Sequence, residues 1–289
     1  DEGATTATAT ASIQSLVARD VDAIVGPGTS VIALSSLDEI VASGTVACSP
    51  NASAQALDGF PDNDLFLRTV PSDSLQAQAM AGGAISVGDT IAFSGRDDDL
   101  GDEVQQLLAS GSPVAIVLAD DDDGTRFLET LGEFDTGGLA TVVVNDAMRG
   151  TSSPQRIAGL DPEFRDRIVG LAPQAASSDP ATPFDPPGLF AANAYDCVNL
   201  IALAAVAAGS DAAVDIAGQI PLVSSSGSVC RTFAACDEAI ESGLVIDYTG
   251  PSGLTELARS GDPLRAVFDR FRYGPDGEDT LERTVLVGR

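Results

Sequence analysis

The sequence predicts an α/β fold with parallel sheets and flanking helices. Three observations carry the prediction. Short apolar runs alternate with amphipathic helical runs along the chain, the pattern of strand–helix–strand units. The short runs read as buried strands closed by turn residues. The chain has 289 residues and is 44% apolar, enough for two lobes with their own cores.

The elements follow in order. Ala9, Ile13, Leu16 and Val17 share one helical face, so the chain opens on a helix. Asp22-Ala23-Ile24-Val25 is a strand stopped by Gly26-Pro27. Leu37, Ile40 and Val41 mark a second helix, with Gly44 as its C-terminal stop. Thr45-Val46-Ala47-Cys48 is the next strand, and further strands are expected at 90–93, 114–118 and 141–144. Helices are expected at 73–81, 125–131, 191–208, 211–220 and 233–242. The Pro-rich stretch 177–188 and the turn-rich stretch 247–253 interrupt the alternation and are candidate crossings between lobes. Ligands of such folds sit at the carboxyl ends of the strands.

Composition excludes whole classes of chemistry. The chain has 15 arginines, no lysine, no histidine and no tryptophan. Without histidine it builds no Ser-His-Asp or Cys-His triad and no histidine zinc site. Without lysine it has no P-loop lysine and forms no Schiff base. A net charge of −28 argues against nucleic acid and against anionic lipid as partners. An acidic, lysine-free surface suits high-salt surroundings, and a GC-rich genome that favours arginine codons gives the same composition. The longest apolar run, at 200–208, falls short of a bilayer span. No leader segment precedes Asp1, so the chain is expected to be a mature or truncated form. Four cysteines are present; Cys230 and Cys236, six apart, are spaced for a local disulfide rather than a zinc knuckle. Cys48 and Cys197 read equally well as plain core residues.

Two turns stand out as candidate binding elements. Gly26-Pro27-Gly28-Thr29-Ser30 links a strand to a helix, placing backbone N–H groups and two hydroxyls at a helix N-terminus. Alone it is equally an ordinary helix cap. Cys48-Ser49-Pro50-Asn51-Ala52-Ser53 ends the next strand with the same chemistry, and two such turns on neighbouring strands converge on one spot suited to a carboxylate. Asn51-Ala52-Ser53 also matches a glycosylation triplet, a pattern common by chance. Asp146, at the end of the 141–144 strand, could accept a ligand ammonium group or serve as a plain cap or surface acid. The acidic runs Asp97-Asp98-Asp99 and Asp120-Asp121-Asp122-Asp123-Gly124 invite a calcium reading. With Gly124 as the sixth position of an EF-hand loop, the first is Ala119 and the twelfth Thr130, so the run reads as a solvated loop. No metal and no cofactor are expected.

These segments together resemble the branched-chain amino-acid-binding proteins, the type I solute-binding receptors of ABC importers. The resemblance is carried by Ser12-Ile13-Gln14 with Asp20-Val21-Asp22-Ala23-Ile24-Val25-Gly26-Pro27, by Ser49-Pro50-Asn51-Ala52-Ser53, and by Leu67-Arg68-Thr69-Val70-Pro71-Ser72-Asp73. It continues through Arg96-Asp97-Asp98-Asp99-Leu100-Gly101, Ala194-Tyr195-Asp196-Cys197-Val198-Asn199-Leu200-Ile201-Ala202 and Asp247-Tyr248-Thr249-Gly250-Pro251-Ser252-Gly253. It implies a two-lobed type I periplasmic-binding-protein fold with three interlobe crossovers and a small amino acid or related carboxylate clamped between lobes. Lobe I would be 1–83 plus 189–249, and lobe II 84–188 plus 250–289. Residues matching the family's carboxylate-holding positions are Ser30, beside Thr29, and Ser53; Asn51 would offer its carbonyl and Asp146 would take the ammonium group. Where the family often has an aromatic, this chain has Leu100. The implied partner is the membrane permease of an ABC importer. The implied location is the extracellular face or periplasm after export, with a lipid anchor as one form.

The chain also departs from the family. It lacks an opening strand, helix and strand, and a further helix and strand after Gly101. Either the protein carries these segments and this sequence omits them, or it is a genuinely reduced member; the former is expected, since losing the first strand would leave a sheet edge unpaired. Two other readings share the fold: a sensory ligand-binding domain, and a receptor for an amide or keto acid. A serine- or aspartate-based hydrolase is disfavoured, because no base partner for a serine and no Gly-x-Ser-x-Gly elbow is present.

Overall fold

In the computed structural model, the described residues are 5–81, 90–93, 99–174, 190–253 and 256–288. Arg96, Asp97 and Asp98 of the acidic motif and the Pro-rich stretch 177–188 lie outside them. The chain divides into two compact units: residues 1–75, 174–267 and 287–289 form the first, and 76–173 with 268–286 the second.

The first unit opens with α1 (Thr6–Val17), β1 (Ala23–Val25), α2 (Ser30–Ser43), β2 (Val46–Ser49) and β3 (Phe66–Arg68). The three strands form a parallel sheet in the order β1-β2-β3. Val25 lies opposite Cys48, and Cys48 opposite Leu67, so the carboxyl ends are level. Every residue of β2 is buried, as the central strand of a covered parallel sheet must be. The Thr29 hydroxyl caps α2 by accepting from the Ile32 N–H. Gly44, at φ 73°, ends α2 in the left-handed conformation, as its position after the last apolar residue predicts.

Helix α3 (Asp73–Ala81) leads out of this unit. The second unit then builds α4 (Gly101–Ala109), β4 (Val114–Val117), α5 (Asp121–Phe134), β5 (Thr141–Val144), α6 (Pro154–Gly159), α7 (Pro162–Arg165) and β6 (Ile168–Pro173). β4, β5 and β6 run parallel. Two expectations are corrected here. Residues 90–93 are not a strand; instead Phe93 stacks on Phe127 at 4.6 Å, so apolar packing rather than a ladder uses that run. The acidic run is a helix start, not a loop. The Asp120 carboxylate accepts from the Asp123 N–H, and Asp121–Asp123 fill the first turn of α5, where the helix dipole favours anions.

The chain returns to the first unit for α8 (Ala191–Ala208), α9 (Ala213–Val223), β7 (Ser228–Cys230), α10 (Phe233–Glu241) and β8 (Ile246–Tyr248). The start of the 247–253 stretch is therefore strand, and its remainder is turn. By length and composition α8 meets the minimum for a membrane span, contrary to expectation. Its buried Asn193, Asp196 and Asn199 are all hydrogen-bonded inside the first unit, which fits a core helix. Finally β9 (Arg265–Tyr273) and β10 (Asp279–Gly288) extend the second sheet to the order β10-β9-β6-β5-β4, with β9 antiparallel to β6. The cores are separate. Phe127, Leu131, Val142, Met148 and Phe271 belong to the second unit's core. Val46, Leu67, Leu200, Ile216 and Tyr248 anchor one cluster of the first, and Ile24, Leu37, Ile40 and Phe66 another.

Both disulfide questions are resolved in favour of bonds. Cys230 and Cys236 are joined across a Cα separation of 5.3 Å, as their spacing predicts. Cys48 and Cys197, left open by the sequence, are also joined, tying β2 to α8 over 149 residues of chain.

Candidate functional site

The parallel register of β1 and β2 delivers their two carboxyl-terminal turns to the same edge of the sheet. The turns are stitched together there. The Ser49 hydroxyl donates to the Pro27 carbonyl at 2.6 Å and accepts from the Ala52 N–H at 2.9 Å. The Ala54 N–H donates to the Ser30 Oγ at 3.0 Å. The convergence expected from two adjacent turns is thus present within the first unit.

This pattern has a chemical consequence. A serine hydroxyl has one proton and two lone pairs. Ser30 accepts from the Ala54 amide, and among the described residues its own proton has no acceptor. The Ser53 carbonyl accepts from the Asp73 N–H at 2.8 Å, while its hydroxyl makes no hydrogen bond among the described residues. Ser30, Asn51 and Ser53 are each half-buried and Thr29 is exposed. Two available hydroxyl donors beside the N-terminus of a 14-residue helix suit a carboxylate.

Under the second turn lies Arg68, whose side chain is fully buried at the end of β3. Its Nε donates to Asp262 Oδ1 at 2.8 Å, and a second nitrogen pairs with Asp58. Its Nη1 donates to the carbonyls of Ala52 and Ala54, at 3.3 and 3.1 Å. Asp262 arrives on a turn whose Gly261, at φ 80°, passes so close to β3 that a Cβ would stand 2.1 Å from the Phe66 carbonyl oxygen. Burial pushes the Asp262 carboxyl up, and the neighbouring guanidinium opposes that shift. Nearby, the Thr69 hydroxyl donates to the Asn193 carbonyl, and Asn193 Nδ2 donates back to the Thr69 carbonyl, both at 2.9 Å. With the Cys48–Cys197 bond, this pair holds the sheet edge against α8.

A second buried network joins α8 to β8 and the turn after it. Asp196 is wholly buried and accepts from the Tyr248 hydroxyl at 2.7 Å and the Ser252 N–H at 2.9 Å. Asn199 Nδ2 donates to the same tyrosine oxygen at 2.7 Å. Burial raises the Asp196 carboxyl to about 6 and pushes the Tyr248 hydroxyl well above its ordinary range.

The remaining expected site residues belong to the second unit. Asp146, two residues past the end of β5, is half-buried, and its Oδ1 accepts from Gln76 Nε2 at 2.8 Å. The same Gln76 nitrogen also donates to the Leu171 carbonyl at 3.1 Å. Leu100 is only 3% exposed and packs in that unit's core beside Val104. Sequence reasoning gave no role to Ser49, Arg68, Asp58 or Asp262. A lone arginine closing the apolar run Leu65-Phe66-Leu67 was the available signal for Arg68.

No family model and no curated protein matches this sequence. Solved structures do match. The branched-chain amino-acid transporter substrate-binding protein LivJ from Streptococcus pneumoniae, in complex with isoleucine, has a TM-score of 0.66 at 16% identity, over 100% of this chain and 86% of that one. A leucine-binding protein LivK from Thermotoga maritima has 0.66 at 14% identity, over 99% and 86%. An ABC-transporter solute-binding protein from Rhodopseudomonas palustris, in complex with benzoate, has 0.65 at 14% identity, over 99% and 84%. The chain has the type I periplasmic-binding-protein fold of these neighbours, as the sequence predicted.

Proposed function

We propose that this protein is a solute-binding receptor for a small carboxylate, an amino acid or a close relative, rather than an enzyme. The observation that carries the reading is the pair of hydroxyls, Ser30 and Ser53, held at the joined carboxyl ends of β1 and β2 with protons available for an acceptor. Thr29 caps the same helix, and Asn51, two residues before Ser53 in the second turn, is proposed to offer its carbonyl as a further polar contact. The ligands named for the neighbours, isoleucine and benzoate, share a carboxylate and little else, which supports that group as the common element. Asp146 is the group proposed to receive a ligand ammonium, so its use decides between an amino acid and a simple carboxylate. Leu100, packed in a core, is proposed to act at most by shaping the surface around it. The fold also supports delivery to the membrane permease of an ABC importer, with the receptor exported to the periplasm or the outer face of the cell.

A second reading, a simple carboxylate without an amine, is favoured by one observation: Asp146 already accepts from the neutral amide of Gln76. A thermal-shift screen with isoleucine, leucine, benzoate, 4-hydroxybenzoate and their amides tests both readings. A rise in melting temperature with at least one free carboxylate and none with its amide is expected, because a ligand that binds only the folded state stabilises it. No shift with any carboxylate sinks the proposal.

A further inference from the structure

We infer that Arg68 is a positioning residue for ligand recognition, acting on Ser53 through the carbonyls of Ala52 and Ala54 on either side of it; the inference rests on the carboxylate reading. A buried guanidinium needs anionic partners, since an unpaired one costs several kcal/mol. Asp58 and Asp262 meet that need. Yet the fork also reaches Ala52 O and Ala54 O, the carbonyls on either side of Ser53, and these contacts contribute nothing to charge balance.

They do two things for the turn. They point two partially negative oxygens inward, away from where an anion would sit. They also fix the two peptides on either side of the Ser53–Ala54 unit, whose N–H donates to Ser30 and whose Ser53 carbonyl accepts from Asp73. Ser53 therefore lies between two carbonyls anchored on one guanidinium. One arginine against two carboxylates leaves the cluster with no surplus positive charge to attract a ligand. Its contribution is geometric, and a planar fork supplies what a lysine ammonium does not.

The test measures affinity for isoleucine, leucine, benzoate and 4-hydroxybenzoate in the parent, Arg68→Lys, Ser53→Ala and the double variant, with urea unfolding of each. Arg68→Lys is expected to weaken the tightest of these by about tenfold or more, the size of one charged hydrogen-bonding contact. It is expected to add less than about threefold on top of Ser53→Ala, because groups acting through one another are not additive. A purely structural arginine would lower the unfolding midpoint and leave the affinity of the folded protein unchanged, which overturns the inference. Full additivity with Ser53→Ala overturns it too. If Arg68→Lys does not fold, Asp58→Asn, which releases the fork on one side, is read in its place. A loss of affinity that vanishes in the Ser53→Ala background supports the inference, and unchanged affinity refutes it. A parent that binds none of the four acids overturns the carboxylate reading itself, and the inference with it.

Discussion

Removing the Cys48–Cys197 bond is expected to cost far more stability than removing the Cys230–Cys236 bond, although both join buried sulfurs. A crosslink withholds conformational entropy from the unfolded chain in proportion to the logarithm of the loop it closes. The Cys48–Cys197 loop spans 149 residues, which corresponds to about 5 kcal/mol at 25 °C. The Cys230–Cys236 loop spans 6, which corresponds to about 2 kcal/mol. Cys48 and Cys197 are also completely buried, so replacing both with alanine leaves a small void that adds to the loss. The assay is urea unfolding of the oxidised parent, Cys48→Ala/Cys197→Ala and Cys230→Ala/Cys236→Ala. With a urea slope of about 2.5 kcal/mol/M, the midpoint should fall by roughly 2 M for the first pair and by somewhat under 1 M for the second. Equal shifts, or a larger shift for the short loop, would refute the loop-entropy reasoning. An unchanged midpoint in Cys48→Ala/Cys197→Ala would refute the bond itself.

Further predictions concern pH and charge. Burial raises Asp196 from 3.8 to about 6, so the folded state holds this proton more tightly than the unfolded chain does. The stability so gained is fully present below the unfolded value and is lost as pH rises through about 6, by up to about 3 kcal/mol. The melting temperature of the parent relative to Asp196→Asn should therefore fall between pH 4 and pH 7, and a difference that stays flat with pH contradicts this. Asp121 works the other way. Hydrogen bonds from Ser152 and Thr151 hold its carboxyl below the usual range against the effect of burial, so Asp121→Asn should cost stability at neutral pH and little in strong acid. Asp146→Asn should abolish binding of isoleucine or leucine and spare benzoate if the ligand's amine is read there, since a desolvated ammonium without an anion is costly; titration calorimetry with an amino acid and a simple acid decides it, and unaltered amino-acid binding removes Asp146 from the site.

The parts of this fold that are legible in sequence are those where local chemistry and burial agree. Gly44 ends α2 because a left-handed cap favours glycine, and Asp22-Ala23-Ile24-Val25 reads as strand because it is short, apolar and closed by Gly-Pro. The two candidate turns are legible for the same reason: each combines a strand end with small hydroxyl residues, and parallel pairing brings neighbours together. Residues 90–93 mislead because a four-residue apolar run carries no period. Phe93 satisfies the run by stacking on Phe127 instead of joining a ladder. The Asp120–Asp123 run misleads because the same four acids suit a loop or a helix N-terminus, and only the cap from Asp120 to Asp123 decides. β9 was missed although Ala266, Phe268, Phe271 and Tyr273 are buried, because three arginines and Asp269 interrupt the apolar pattern from Arg265 to Arg272, and Arg270 and Arg272 meet their shared anion, Glu282, only once the next strand is in place. The partners of Arg68 were illegible for a different reason. Its anions come from positions 58 and 262, and only the folded chain brings them to one guanidinium.

The measurement that tests the account most directly is calorimetric titration of the tightest acid among isoleucine, leucine, benzoate and 4-hydroxybenzoate into the parent and into Ser30→Ala/Ser53→Ala. Each hydroxyl donated to a carboxylate is worth about 1–3 kcal/mol, so losing both should weaken binding by at least about thirtyfold, while the urea midpoint falls only by the one hydrogen bond that Ser30 accepts from the Ala54 N–H. Binding of equal strength in the double variant would mean that the joined turns of β1 and β2 do not hold the ligand, and would contradict the account at its centre.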